Sequence, residues 1–63
     1  MKRYYVMDTE NPYCTIEDYC CYTQDINKYI ASHNITVAKN VREVSKEEYT
    51  RLKKVGHRVT YKR

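Results

Sequence analysis

Three cysteines and two histidines are the side chains that could give this chain a metal site or a reactive thiol. Zinc sites of these ligands contain pairs of the C-x2-C or H-x3–5-H type. Neither pair occurs among the five residues, Cys14, Cys20, Cys21, His33 and His57. A catalytic thiol also needs a base held against it, and no spacing supplies one. The sequence therefore predicts no catalytic residue, no metal site, no cofactor and a protein that is not an enzyme.

Charge is divided unequally between the two halves of the chain. Residues 1–33 carry three Lys/Arg against five Asp/Glu, a net charge of −2. Residues 34–63 carry nine Lys/Arg against three Asp/Glu, a net charge of +6. A field of this kind favours acidic partners.

The basic residues of the last third are expected to converge into one electropositive surface. Tyr61 lies among them and could anchor a partner protein or stack on a base. The predicted binding residues are Arg51, Lys53, Lys54, Arg58, Tyr61, Lys62 and Arg63. Three interpretations stay open: an acidic protein or nucleoprotein partner, direct binding to DNA or RNA, and a solvated face that only aids solubility.

The chain is short, and its apolar content is low. Its 63 residues predict one domain, 1–63, with six Val, four Ile and one Leu. All eight aromatic residues are tyrosines, which must therefore supply part of the core. Small domains compensate for a small core with disulfides, metals or self-association, so a homodimer is one expectation.

No segment of the sequence indicates export or a membrane. Apolar runs are far shorter than the about 20 residues of a spanning helix, and no signal-peptide core follows the first basic residues. A cytoplasmic protein without membrane contact is expected, with its thiols reduced.

The first half of the chain predicts a strand and a long helix. Arg3–Met7 is apolar on both faces, which predicts a central strand or one covered by a second subunit. A loop is expected at residues 8–12. Thr15 then opens a helix that ends near His33 and Asn34, with Cys20 on its apolar face and Cys21 exposed.

The second half predicts a β-helix-β sequence. Residues 35–44 are rich in β-branched side chains and form either one strand or a hairpin that turns at Lys39 and Asn40. Ser45 and Glu48 form a capping box for a helix that ends before Gly56. Residues 57–61 complete the sheet as its last strand.

The predicted fold class is α+β. The order is β-α-β-α-β, or β-α-β-β-α-β if residues 35–44 form a hairpin. Both helices are expected on one face of a three- to four-stranded sheet.

The segment Val41–Lys54, after a start rich in lysine and tyrosine, resembles parts of small proteins of bacteriophages and mobile elements of low-GC Gram-positive bacteria. The resemblance covers the last third of the chain and assigns no functional residue. It implies a role class: proteins of this type bind a host or competitor macromolecule and block or redirect it, as host-takeover factors and anti-CRISPR-type inhibitors do.

Overall fold

The computed structural model describes residues 1–62, which form one mixed α+β unit. Four antiparallel strands are arranged in the order β3-β1-β2-β4. The elements are β1 (Arg3–Glu10), β2 (Cys14–Thr23), α1 (Ile26–Ser32), β3 (Val37–Val44), α2 (Lys46–Val55) and β4 (Arg58–Tyr61). No helix within the described residues is long and apolar enough to cross a membrane.

The first strand is central, as its two apolar faces predicted. It continues to Glu10, so the expected loop at residues 8–12 is reduced to the turn between β1 and β2. Asn11 fixes this turn, because its side-chain Oδ1 accepts hydrogen bonds from the backbone N–H groups of Tyr13 and Cys14, both at 2.8 Å. A local acceptor of this kind lets asparagine replace part of a regular turn.

The predicted helix from Thr15 was wrong over its first half, since residues 14–23 form β2. The β-branched and aromatic side chains of this segment suit a strand as well as a helix, and pairing with β1 decides between the two. One consequence is that Cys21 is buried, with 1% of its surface exposed, and not exposed as predicted. The element order is therefore β-β-α-β-α-β.

The helix that does form here is short. Asp25 caps α1, because its carboxylate accepts hydrogen bonds from the N–H groups of Asn27 and Lys28. The predicted end of the helix is confirmed, with His33 as the C-cap and Asn34 in the left-handed region at φ 54°.

The boundaries of the second half follow the sequence closely. Residues 37–44 form one strand, so the hairpin alternative is excluded. The Ser45 hydroxyl accepts from the N–H of Glu48 at 3.1 Å, which confirms Ser45 as the cap of α2, but the Glu48 carboxylate accepts from Arg51 instead of completing the predicted capping box. Gly56 ends that helix at φ 89°, a conformation that favours glycine.

Among residues 1–62 the fully buried side chains all come from the central hairpin: Val6 and Met7 at 0% exposure and Cys21 at 1%. Tyr49 of α2 contacts Tyr4, whose cross-strand partner is Tyr22. Tyr29 of α1 contacts Tyr19, three residues before Tyr22 on the same strand and therefore on the other face. The expected packing of both helices on one face is not confirmed, because these contacts lie on opposite faces.

The Asp8 carboxylate accepts hydrogen bonds from irregular positions in both strands that flank β1. The β1 register shifts between Met7 and Thr9 against β2, and between Val6 and Asp8 against β3. In those strands Asp18 and Asn40 adopt positive φ values of 56° and 54°. Asp8 accepts a hydrogen bond from the backbone N–H of Asp18 at 3.2 Å and one from the Asn40 side chain at 2.9 Å. One carboxylate thus holds two β-bulges.

We expect the substitution Asp8→Ala to lower the free energy of unfolding by about 1–3 kcal/mol, because it leaves both donors without their acceptor. Urea unfolding measures the change. The Asn40 and Asp18 hydrogen bonds hold the pKa of Asp8 below its ordinary 3.8, so this contribution is present at neutral pH. It should decline as the pH falls from 3.8 toward the lowered value.

The matched control is Glu17→Ala, which removes a carboxylate from an exposed ion pair and should cost less than about 1 kcal/mol. Two results would contradict the proposed role of Asp8 in holding the bulges. One is an equal loss of unfolding free energy in both variants, and the other is a loss in Asp8→Ala that does not become smaller at low pH.

Candidate functional site

The predicted binding residues are divided between two elements. Arg51, Lys53 and Lys54 lie on α2, and Arg58 and Tyr61 on β4. Lys62 follows β4, and Arg63 lies outside the described residues. Their shared role in binding stays a prediction, but the structure shows which of them lie together.

The cations at β4 are neutralised by acids of the central hairpin. Lys62 Nζ lies 2.7 Å from Glu10 Oε1, and Arg58 Nε lies 3.7 Å from Glu17 Oε2. The hydrogen bond from Lys62 holds the pKa of Glu10 below its ordinary value. These pairs are exposed and contribute little to stability, but they leave little net charge at β4.

Arg51 is also compensated, by an acid on its own helix. Its guanidinium forms an ion pair with Glu48 three residues earlier, and this contact holds the pKa of Glu48 below its ordinary value. A guanidinium engaged in this way offers fewer free donors to a partner.

Tyr61 does not lie beside the basic side chains of its strand. It pairs with Cys14, whereas Arg58 pairs with Glu17, and the three-residue offset places Tyr61 and Arg58 on opposite faces. The ring is 76% exposed. Of the predicted site, only Lys53 and Lys54 are neighbours without an ion-pair partner among residues 1–62.

A different cluster surrounds those two lysines. Tyr22, Tyr4 and Tyr49 form a row across β2, β1 and α2. The ring centroids of Tyr22 and Tyr4 are 4.7 Å apart at an interplanar angle of 25°, and those of Tyr4 and Tyr49 are 4.8 Å apart at 54°. Such pairs contribute about 0.5–1.5 kcal/mol each beyond the area that they bury.

Lysines stand at both ends of the tyrosine row. Lys2 Nζ lies 5.4 Å from the ring centroid of Tyr22, and Lys53 Nζ lies 5.7 Å from that of Tyr49. Both are within the range of a cation–π interaction. Lys46 and Lys54 line an open groove of about 460 Å³ that Tyr4 and Tyr49 also line.

We call this cluster the Tyr–Lys surface. It comprises Lys2, Tyr4, Tyr22, Lys46, Tyr49, Lys53 and Lys54. Within residues 1–62 none of its lysines forms an ion pair. Its four lysines therefore carry positive charge that no described acid neutralises at ion-pair distance.

Sequence reasoning missed most of the Tyr–Lys surface because it assigned Tyr22 to a helix. Tyr22 and Tyr4 meet only through the pairing of β1 with β2. The signal that could have found them is the alternation of Lys2, Tyr4 and Val6, which shares the period of a strand.

Two of the three thiols, those of Cys20 and Cys21, are poorly suited to nucleophilic chemistry. All three cysteines are free. Burial raises the pKa of the Cys21 thiol to about 11, and burial with the nearby Asp18 carboxylate raises that of Cys20. Protonated thiols are weak nucleophiles and weak metal ligands. No group of three or more His, Cys, Asp or Glu side chains in residues 1–62 is arranged to hold a metal ion.

No protein-family model matches the chain, and no curated protein or solved structure matches it at a significant level of similarity. The resemblance to small phage and mobile-element proteins thus has no further support from these comparisons.

The raised pKa of Cys21 predicts a loss of stability in alkali. Between pH 9.0 and about 11 the unfolded chain loses a thiol proton that the folded chain retains. The free energy of unfolding should therefore fall by roughly 1–3 kcal/mol over that interval. Urea unfolding of the wild type and of Cys21→Ala at both limits measures it. A decline of the same size in the variant would show that Cys21 does not cause it.

Proposed function

We propose that this protein is a non-enzymatic binding protein that holds an acidic surface of a partner protein against the Tyr–Lys surface, and so inhibits or regulates that partner. The observation that carries the proposal is the row of three tyrosines with Lys2 and Lys53 at its ends. Tyrosine is enriched at protein interfaces, where the ring supplies area and the hydroxyl a hydrogen bond.

Ammonium groups at the Tyr–Lys surface would attract an acidic partner over a distance. Because Lys46, Lys53 and Lys54 line one groove, their fields add in the same region. Such complementarity raises the association rate and favours carboxylate-rich partners over others. The four-residue spacing between Tyr49 and Lys53 on α2 keeps an aromatic contact beside a charge.

The arrangement of the rings favours a protein partner over the bases of a nucleic acid. Base recognition by stacking needs an open ring face. Tyr4 and Tyr22 are stacked on each other, Tyr49 is tilted against Tyr4, and lysines lie over Tyr22 and Tyr49. The ring edges, the hydroxyls and the ammonium groups stay available to a partner, and these groups can bind carboxylates.

Direct binding to DNA or RNA is the second candidate, supported by the same unpaired lysines. Lysine ammonium groups contact phosphate as readily as carboxylate, and each such contact makes the affinity depend on salt. In this case binding would follow the phosphate backbone without base preference.

The role as an inhibitor or regulator comes from the resemblance to phage and mobile-element proteins. On this resemblance, the partner would be a macromolecule of a host or competitor cell, and the protein would act in the cytoplasm of that cell. The free thiols at Cys14, Cys20 and Cys21 are compatible with such a reducing compartment.

The test compares two variants of equal charge change. Lys53→Gln with Lys54→Gln removes charge from the Tyr–Lys surface, whereas Arg58→Gln with Lys62→Gln removes charge that hairpin acids already neutralise. We expect the first variant to reduce partner capture from host lysate at least about tenfold and the second to change it little. Quantitative mass spectrometry after affinity capture, with and without nuclease, provides the measurement.

Three results decide between the candidates. Capture that survives nuclease and depends on Lys53 and Lys54 supports a protein partner. Capture lost on nuclease treatment, together with affinity for random oligonucleotides that falls steeply with salt, supports nucleic acid. Equal effects of the two variants would remove the Tyr–Lys surface as the site.

A further inference from the structure

The two edge strands of the sheet, β3 and β4, differ in the regularity of their backbone. Both β3 and β4 pair on one side only among the described residues. A β-bulge interrupts β3, where Asn40 takes φ 54° and the register shifts. Bulges of this kind obstruct regular pairing with a further strand. β4 is four residues long, pairs with β2 without a register shift and contains no proline, and its outer edge has no strand partner among the described residues.

The hydrogen-bonding groups on that edge can be assigned to particular residues. The N–H of Lys62 donates to the carbonyl of Tyr13 at 2.9 Å, so Lys62 directs its backbone groups toward β2. Backbone groups alternate in direction along a strand. Arg58 and Thr60 therefore also face β2, whereas the N–H and C=O groups of Val59 and Tyr61 face outward.

We propose that two copies of this chain form a dimer by antiparallel pairing of their β4 edges. The paired residues would be Val59 with Val59 of the second copy, and His57 with Tyr61 of the second copy. Both pairs use the outward backbone groups, and the two sheets become one continuous sheet.

Charge favours this register over the one centred on Thr60. Pairing centred on Thr60 would also use the outward groups, but it sets Arg58 directly opposite Lys62 of the second copy. Like charges directly opposite each other are unfavourable. In the register centred on Val59, Arg58 lies opposite Thr60. The ion pairs to Glu17 and Glu10 further reduce the repulsion between two basic strands.

Side chains on one face of β4 give the pairing an apolar component. Val59 lies opposite Ile16 and Tyr61 opposite Cys14, on the face that carries the buried Cys14. Tyr61 is 76% exposed in the single copy, and its ring would lie against His57 of the second copy. A domain whose fully buried side chains are only Val6, Met7 and Cys21 gains core by such pairing.

The symmetry of such a dimer determines how its two Tyr–Lys surfaces are oriented. The two-fold axis of an antiparallel pair is perpendicular to the sheet, so equivalent faces of the two copies lie on the same side. Both α2 helices, and with them both Tyr–Lys surfaces, would then face one way. The dimer proposal does not depend on the function of that surface.

Sedimentation equilibrium of the full chain over a range of concentrations tests the dimer. We expect a reversible monomer–dimer equilibrium that Val59→Pro weakens at least about tenfold, because proline removes an outward N–H without removing a bond to β2. Val59→Ala is the control for the lost side chain, since it keeps the amide and should retain most of the affinity. Circular dichroism confirms that the variants are folded.

Amide hydrogen exchange of the wild type gives a second measurement that needs no variant. The amides of Val59 and Tyr61 should be protected at concentrations that favour the dimer and lose that protection on dilution, while the Thr60 amide stays protected. A chain that is monomeric throughout overturns the proposal. So does a dimer in which the Val59 and Tyr61 amides exchange equally at high and low concentration, or a folded Val59→Pro that dimerises like the wild type.

Discussion

The central hairpin of β1 and β2 is the constraint on which the rest of this small structure depends. It supplies the side chains with almost no exposure, Val6, Met7 and Cys21. Both of its faces are apolar near this point, so a helix must cover each face, and both of its edges take a further strand. The α+β class follows from this need, because a hairpin alone cannot remove two apolar faces from water.

The uneven charge of the two halves reflects the order of the strands in the sheet. The hairpin is N-terminal and acidic, and its neighbours β3 and β4 are C-terminal and basic. Among residues 1–62, four ion pairs accordingly join hairpin acids to cations of the second half, and a fifth, Arg3–Glu43, has the opposite polarity. Counting charge in the sequence predicted an acidic partner, whereas Arg58 and Lys62 are neutralised within the molecule; it located Lys53 and Lys54 correctly on a basic helix. It could not find Lys2, Tyr4 or Tyr22, which meet the helix only after β1 and β2 pair.

Sequence patterns predicted correctly those features of the fold that depend on neighbouring residues. Ser45 as a cap, Gly56 as a helix end and the central position of β1 could all be predicted from neighbouring residues. Residues 15–23 could not, because the three-residue spacing of Ile16 and Tyr19 fits the period of a helix, while the β-branched and aromatic content of the segment suits a strand. Hydrogen bonds to β1, a segment distant in sequence, settle that ambiguity. The bulges held by Asp8 also depend on three strands at once and leave no pattern in any one of them.

The order of the strands in the sheet also affects which parts of this chain can pair early in folding. The hairpin closes through a turn of three residues and can form early from local contacts. The outer strands must close much longer loops, since Tyr4 pairs with Val44 and Cys14 with Tyr61. The acidic hairpin precedes the basic strands β3 and β4 in the chain, and these strands pair with its two edges. Two of the three strand pairs therefore join residues distant in sequence, a topology for which folding slower than that of a helical protein of this size is expected.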